Sequence, residues 1–409
     1  MSDTDILRPA DTSLQGRAQA AFFKYQAPIF RFARRVWPIA NLGMVFVTRY
    51  DDVLEVLLND PAFRVPYAAN LKLIMNNEAF FLGLDDTPEY QSDIAAMRAV
   101  VQREDVAQLA ASAAAEADRL LDASQGRIEV VDFTRQVTFG VLCPYFGITP
   151  PAQGDLRVWA TRLFEFQFTY AGNIGPGVTD PLYLDAARMA PLLRAHVQGL
   201  IEKRRVGSGS DDVLQRCLTR QSAGEPGYTD EKIRCALIGF LVGGLPQPPM
   251  VLPFALEQLL ERDRELARAT AHALAGDTAS VSRAMFETLR FDPLAPLLQR
   301  KTVTDTVVAA GTRRATIIKA GKTVAVCFAS AMRDPRRVAD PEIFDPNRAD
   351  SATMHFGFGL HRCFGEAINR AILPAMLQRL LKRGIRRAPL PDGWLVKRGI
   401  FADTLWVEF

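Results

Sequence analysis

Phe356-Gly357-Phe358-Gly359-Leu360-His361-Arg362-Cys363-Phe364-Gly365 is the stretch on which the reading of this chain turns. A single thiol sits between glycines. His361 and Arg362 precede it and a helix-like run follows it. Glycine has no side chain to collide, so this backbone can close over a flat ligand. Cysteine binds a metal as the thiolate, and nearby positive charge or a helix N-terminus favours that form. An apolar, glycine-lined loop with one thiolate is what haem ligation through a single cysteine requires. The bland alternative is a buried cysteine in a glycine-rich turn, and it has to account for the whole pattern and not for one residue.

The stretch resembles the haem-binding loop of the cytochrome P-450 family, Phe-Gly-x-Gly-x-His-x-Cys-x-Gly, at every fixed position. The resemblance implies haem b with Cys363 as its axial thiolate. It implies a hydrogen bond from His361 to a haem propionate, and a cradle shaped by Phe356, Gly357 and Gly365. The implied fold is mainly α with a small β-rich part (α+β), a triangular helical prism around a buried haem. One catalytic domain is expected over residues 1–409. Its β-rich portion is expected from the N-terminal region and parts of 300–330 and 390–409.

Upstream, Glu287-Thr288-Leu289-Arg290 places Glu and Arg at i and i+3, on one side of a helix, where they can pair. Such pairs are common by chance, but this one stands where the family keeps its Glu-x-x-Arg. The implied role is structural: a buried pair that locks onto the segment before the haem loop, through Arg348. Arg300 falls where the family has a second propionate partner. Asp86-Thr87-Pro88-Glu89-Tyr90 stands where the family often has Asp-Pro-Pro-Glu-His and then an arginine. Tyr90 and Arg98 are therefore the candidates to touch the propionates.

The chain departs from the family at the central helix. The family pattern there is Ala/Gly-Gly-x-Asp/Glu-Thr-Thr/Ser, whose acid and alcohol relay protons. Aligned on Gly243-Gly244, this chain reads Leu245-Pro246-Gln247-Pro248-Pro249-Met250. Pro246 replaces the acid and Gln247 the alcohol, and neither takes up and releases a proton near neutral pH. Proline also removes a helical hydrogen bond and costs ~3 kcal/mol in a helix interior. A sharp kink or break over the haem is expected, with freed carbonyls that need donors. Water, the Gln247 amide or a substrate hydroxyl could supply them.

Composition narrows the rest. The chain has 409 residues, 48% of them hydrophobic, enough for a large core. A net charge of +3 is too mild to argue for nucleic acid. Arg34-Arg35, Lys203-Arg204-Arg205 and Arg313-Arg314 read as solvated charge, or, by the family resemblance, as a docking patch for an acidic electron donor. The five cysteines are odd in number and none forms a C-x-x-C, which argues against a disulfide framework or a structural zinc. A reducing, cytoplasmic setting fits. Met1-Ser2-Asp3-Thr4-Asp5 is polar and acidic, so neither signal peptide nor membrane anchor is expected.

Apolar periodicity predicts helices over 51–58, 107–121, 182–203, 230–243 and 282–290. Strands are predicted over 44–48, 316–319, 324–328 and 405–409. Phe80-Phe81, Phe164, Phe166, Phe168, Tyr170 and Ile400-Phe401 are candidate walls of an apolar pocket, or plain core.

Three functions remain open. The first is a monooxygenase that inserts one oxygen atom from O2 into a lipophilic small molecule, with electrons from a separate ferredoxin or flavodoxin. The second is a peroxygenase or a hydroperoxide-rearranging enzyme, in which a missing proton relay matters less. The third is a haem-bearing sensor without turnover.

Overall fold

The protein is described from a computed structural model, for residues 5–9, 11–207, 209–349 and 352–409. The first four residues, on which the expectation of no signal peptide or anchor partly rests, lie outside that range.

The helices are α1 (Leu14–Val36), α2 (Tyr50–Leu58), α3 (Ala68–Met75), α4 (Pro88–Val100), α5 (Asp105–Ala123), α6 (Val130–Phe146), α7 (Leu156–Thr169), α8 (Pro181–Val206), α9 (Val213–Ser222), α10 (Asp230–Gly244), α11 (Pro248–Leu260), α12 (Asp263–Leu274), α13 (Thr278–Phe291), α14 (Phe328–Ala331) and α15 (Glu366–Lys382). The strands are β1 (Ile39–Leu42), β2 (Met44–Val47), β3 (Phe63–Arg64), β4 (Arg127–Glu129), β5 (Leu298–Thr302), β6 (Thr306–Val308), β7 (Thr316–Ile318), β8 (Thr323–Val326), β9 (Arg386–Arg387), β10 (Val396–Arg398), β11 (Phe401–Thr404) and β12 (Trp406–Glu408). Every predicted helix is present, and side-chain caps mark the starts of two of them. Thr229 accepts from Lys232 N to start α10, and Asp277 accepts from Ser280 N to start α13.

The largest sheet has the order β1-β2-β8-β5-β3, antiparallel except where β2 runs parallel to β8. A second sheet, β4-β12-β9, joins the C-terminus to the start of α6. The strand predicted over 324–328 ends at Val326, because Phe328 already belongs to α14. Phe164, Phe166 and Phe168 alternate with polar residues, yet they lie in α7. Phe164 and Phe166 are buried there while Phe168 is exposed.

One apolar core fills the space between the helices, and α15 packs against α5, α12 and α13. The stretch Asp230–Leu260 is long and apolar enough to cross a membrane by composition, but 83% of its most apolar window is buried in this core.

Candidate functional site

The decisive loop lies between the segment 339–348 and α15. Cys363 N–H donates to Phe356 O at 2.8 Å, which closes the loop on itself. Gly357 and Gly359 hold φ of 69° and 70°, the left-handed region open to glycine. Gly359 also passes close to α2: a Cβ there would lie 2.8 Å from Leu57 O. Gly365 caps α15, and a Cβ on it would come within 4.0 Å of the Cys363 sulfur. The thiol is thus presented at the N-terminal end of a long helix, beside positions without side chains.

Positive charge favours the thiolate here, as the sequence leads one to expect, but burial outweighs it. Arg362 turns to Glu366, with Nε 2.6 Å from Oε2, and Arg370 reaches the same carboxylate at 2.9 Å. Burial pushes the Cys363 thiol up to about 11. The Gly365 N–H and Arg362 oppose this, and Glu366 adds to it. The free loop therefore carries a thiol at neutral pH, and a cation bound at sulfur is what deprotonates such a group. Cys143, Cys217, Cys235 and Cys327 are buried, whereas Cys363 is half-buried.

Two buried side-chain nitrogens flank the loop without hydrogen-bond partners. Arg300, in β5, is 4% exposed; Nη1 donates to Gln299 O at 3.0 Å, while Nε is buried with no hydrogen-bond partner. His361 sits in a tight turn over 359–361, its Nε2 4.0 Å from Asp60 Oδ1, and its Nδ1 likewise has no partner. Burial pushes His361 down to about 4, and the Arg300 charge adds to the shift. Buried nitrogens without partners are costly, so this pair fits an incoming carboxylate. Tyr90, on α4, donates from its hydroxyl to Leu360 O at 2.8 Å and so braces the loop itself. Arg98, two turns further along α4, is exposed, and its charge is felt at Tyr90.

The support beneath the loop is the Glu287–Arg290 pair on α13. Arg290 is fully buried and donates from Nε and Nη2 to Glu287 at 3.0 and 2.7 Å. Arg290 Nη2 also donates to Ile343 O at 3.0 Å, and Nη1 to Met332 O at 3.3 Å and to Pro341 O. Arg348 Nε joins Glu287 Oε1 at 3.2 Å, and Arg348 Nη2 donates to the carbonyls of Asp340 and Ile343. Three charges thus fasten one side of the segment that leads into the loop.

Across the loop, the central helix is interrupted. α10 ends at Gly244, α11 starts at Pro248, and Leu245 to Gln247 form a turn. Gln247 Nε2 donates to Gly243 O at 2.6 Å, so the amide side chain takes up one carbonyl at the break. Pro253, by contrast, stays inside α11. A feature the sequence did not disclose bridges the two sides: Phe240 of α10 stacks on Phe364, centroids 5.4 Å apart and planes 15° apart, and Phe81 meets Phe364 edge-on at 5.4 Å. Phe80 and Phe81 were candidate pocket walls, but Phe364 occupies a variable position of the motif and Phe240 is one apolar residue among many on its helix.

The set fits haem: one thiol, two buried nitrogens without partners for carboxylates, and glycines around the sulfur. Among the described residues, no group of three His, Cys, Asp or Glu side chains gathers into another metal site.

A helical prism with a cysteine loop braced by a Glu-Arg pair defines a haem-thiolate scaffold. The comparisons with known proteins agree. Residues 279–383, which hold the Glu-Arg pair, the loop and α15, match the family model "Cytochrome P-450". The polyketide biosynthesis cytochrome P-450 PksS of Bacillus subtilis is 24% identical over 403 residues, covering 94% of this chain and 92% of that protein. Cytochrome P-450 105C1 of a Streptomyces species is 30% identical over 197 residues, 47% of this chain and 46% of that one. The crystal structure of P-450BioI in complex with a hexadec-9Z-enoic acid ligated acyl carrier protein superposes with a TM-score of 0.79 at 18% identity, over 95% of this chain and all of that one. The chain belongs to the cytochrome P-450 superfamily and is of the bacterial type. It is an oxidoreductase of that family, whose members bind haem through a cysteine thiolate.

Proposed function

We propose that Cys363 is the axial ligand of a haem b, and that Arg300 and His361 receive its carboxylates. The observation that carries this is the coincidence, around one loop, of a single thiol with two buried side-chain nitrogens, Arg300 Nε and His361 Nδ1, that have no hydrogen-bond partner. Haem held by a thiolate supplies the oxidising chemistry, since the sulfur pushes electron density that favours O–O cleavage. The chain's own residues do the rest. Glu287, Arg290 and Arg348 fix the segment before the loop, and Tyr90 holds Leu360. Gly243, Gly244, Pro246 and Gln247 shape the opposite wall.

The reaction proposed is monooxygenation of a lipophilic small molecule in the cytoplasm, with electrons from a separate ferredoxin or flavodoxin. The buried aromatics Phe164 and Phe401, whose rings lie 6.0 Å apart, are consistent with that substrate class. No docking patch is assigned to the donor protein. The three basic clusters of the sequence are partly committed elsewhere, because Arg34 bonds Ser330, Arg204 pairs with Asp212 and Arg314 with Asp52.

One observation favours peroxide-dependent chemistry as a second reading. Gln247 stands at the family's alcohol position, and its amide nitrogen is engaged by Gly243 O. It therefore neither stores nor relays a proton. Turnover that needs a reduced ferredoxin and O2 supports the first reading; turnover with hydrogen peroxide alone supports the second. Haem binding with no product from either would leave a sensor.

A further inference from the structure

α1 carries two apolar faces, and the fold uses one of them. On the inner face Phe30 is buried with Ala325, Cys327 and Ala329. Phe22 meets Phe30 edge-on, ring centroids 5.7 Å apart, and Arg34 Nη1 donates to Ser330 O at 2.9 Å. On the outer face Tyr25, Ile29, Phe32 and Val36 follow at i, i+4, i+7 and i+11, the spacing of one helical stripe. Leu14 lies on the same stripe, about three turns before Tyr25. Ala18 and Ala21, between them, are exposed. Leu14, Tyr25, Ile29, Phe32 and Val36 are each between 44% and 85% exposed. Single apolar residues on a surface need no explanation, but a row of five along one helix does.

The charge beside the stripe selects its occupant. Residues 14–36 include five basic residues and no acidic one. Arg34 is turned inward, whereas Arg17, Arg31 and Arg35 are exposed and fall by helical position along one edge of the stripe. Arg31 reaches Glu342 at 3.3 Å, but both side chains are open to water, so the pair is weak and readily exchanged. A second copy of α1 laid on the stripe would bring more arginines and no acid to meet them. An anionic lipid surface suits both features. The apolar row enters the boundary between headgroups and acyl chains, and the arginines stay level with the phosphates.

We propose that the outer face of α1 is a membrane-binding surface, by which the protein lies reversibly on an anionic bilayer without spanning it. No residue of this surface belongs to the Cys363 loop, so the proposal stands or falls apart from the haem reading.

The test uses the full-length protein with two kinds of vesicle, phosphatidylcholine alone and phosphatidylcholine mixed with phosphatidylglycerol. The bound fraction is read by sedimentation. The wild-type protein sediments with the anionic vesicles, less so as salt is raised, and little with the neutral ones. Phe32→Ser weakens the anionic binding about tenfold, and Arg35→Gln about fivefold. Ile317→Ser, which removes a comparably exposed apolar side chain on β7, leaves it unchanged. A wild-type protein that stays in solution with the anionic vesicles overturns the proposal, and so does an equal loss in Ile317→Ser and Phe32→Ser. A wild-type dimer in the absence of lipid that Phe32→Ser converts to monomer gives the stripe to a second copy and overturns it as well.

Discussion

Arg348 Nε lies 3.2 Å from Glu287 Oε1, across 61 residues of chain. Glu287 is 3% exposed and Arg290 is fully buried, so one carboxylate compensates two guanidinium groups away from water. The remaining guanidinium donors go to backbone carbonyls between Met332 and Ile343. This cluster ties a helix far upstream in sequence to the segment that leads into the Cys363 loop. Removing one partner leaves buried charge uncompensated, which costs ~3–5 kcal/mol. Glu287→Gln is therefore expected to lower the unfolding free energy by about 3 kcal/mol and to lose haem on gel filtration. Urea denaturation and haem content per chain check this; a variant with wild-type stability and full haem would show that the cluster does not support the loop.

Gly359 gives a prediction with its own control. Its φ is 70° and a Cβ would lie 2.8 Å from Leu57 O; Gly384 has a φ of 69° with nothing within 4 Å. Gly359→Ala combines backbone strain with a clash against main chain, while Gly384→Ala meets strain alone, ~1–2 kcal/mol. Thermal unfolding is expected to show the larger loss for Gly359→Ala, together with weaker haem retention. Equal losses would mean that the loop is free to move away from α2.

His355 sets an acid limit on stability. Its Nε2 lies 2.8 Å from Phe286 O, and burial pushes its pKa down to about 4, with the Arg370 and Arg290 charges adding to the shift. The unfolded chain binds this proton near pH 6.5 and the folded chain only near 4. Stability from this group is thus complete above pH 6.5 and is lost as pH falls towards 4, by up to ~3 kcal/mol. Urea midpoints between pH 7 and 4 are expected to fall less steeply for His355→Gln. Parallel curves for the two proteins would refute the assignment.

The helix break predicts a gain. Replacing Pro246 and Gln247 together by Asp and Thr restores groups that can exchange a proton. The share of O2-dependent product formed per electron consumed is expected to rise. If that ratio stays constant while product forms, protons reach the site by a route that does not include this turn.

The loop was legible in the sequence because its chemistry is contiguous: glycines, histidine and thiol within ten residues. The prolines at 246, 248 and 249 announced the break for the same local reason. Contacts made across long separations were not legible. β4 is three residues long and exists only through its pairing with β12. The Phe240–Phe364 stack and the Arg162 bonds to Asp5 and Ile6 join residues with no shared pattern. The sign of the charge effect at Cys363 was legible, but its weight was not: Arg362 favours the thiolate while its guanidinium is shared with Glu366, and burial dominates the thiol.

Sulfur on iron is the central claim, and carbon monoxide reports it most directly. The reduced wild-type protein with carbon monoxide is expected to show the strongly red-shifted Soret band of a thiolate-ligated haem, and Cys363→Ala to lack it. The same red-shifted band in both proteins, or its absence from the wild type, would contradict the account.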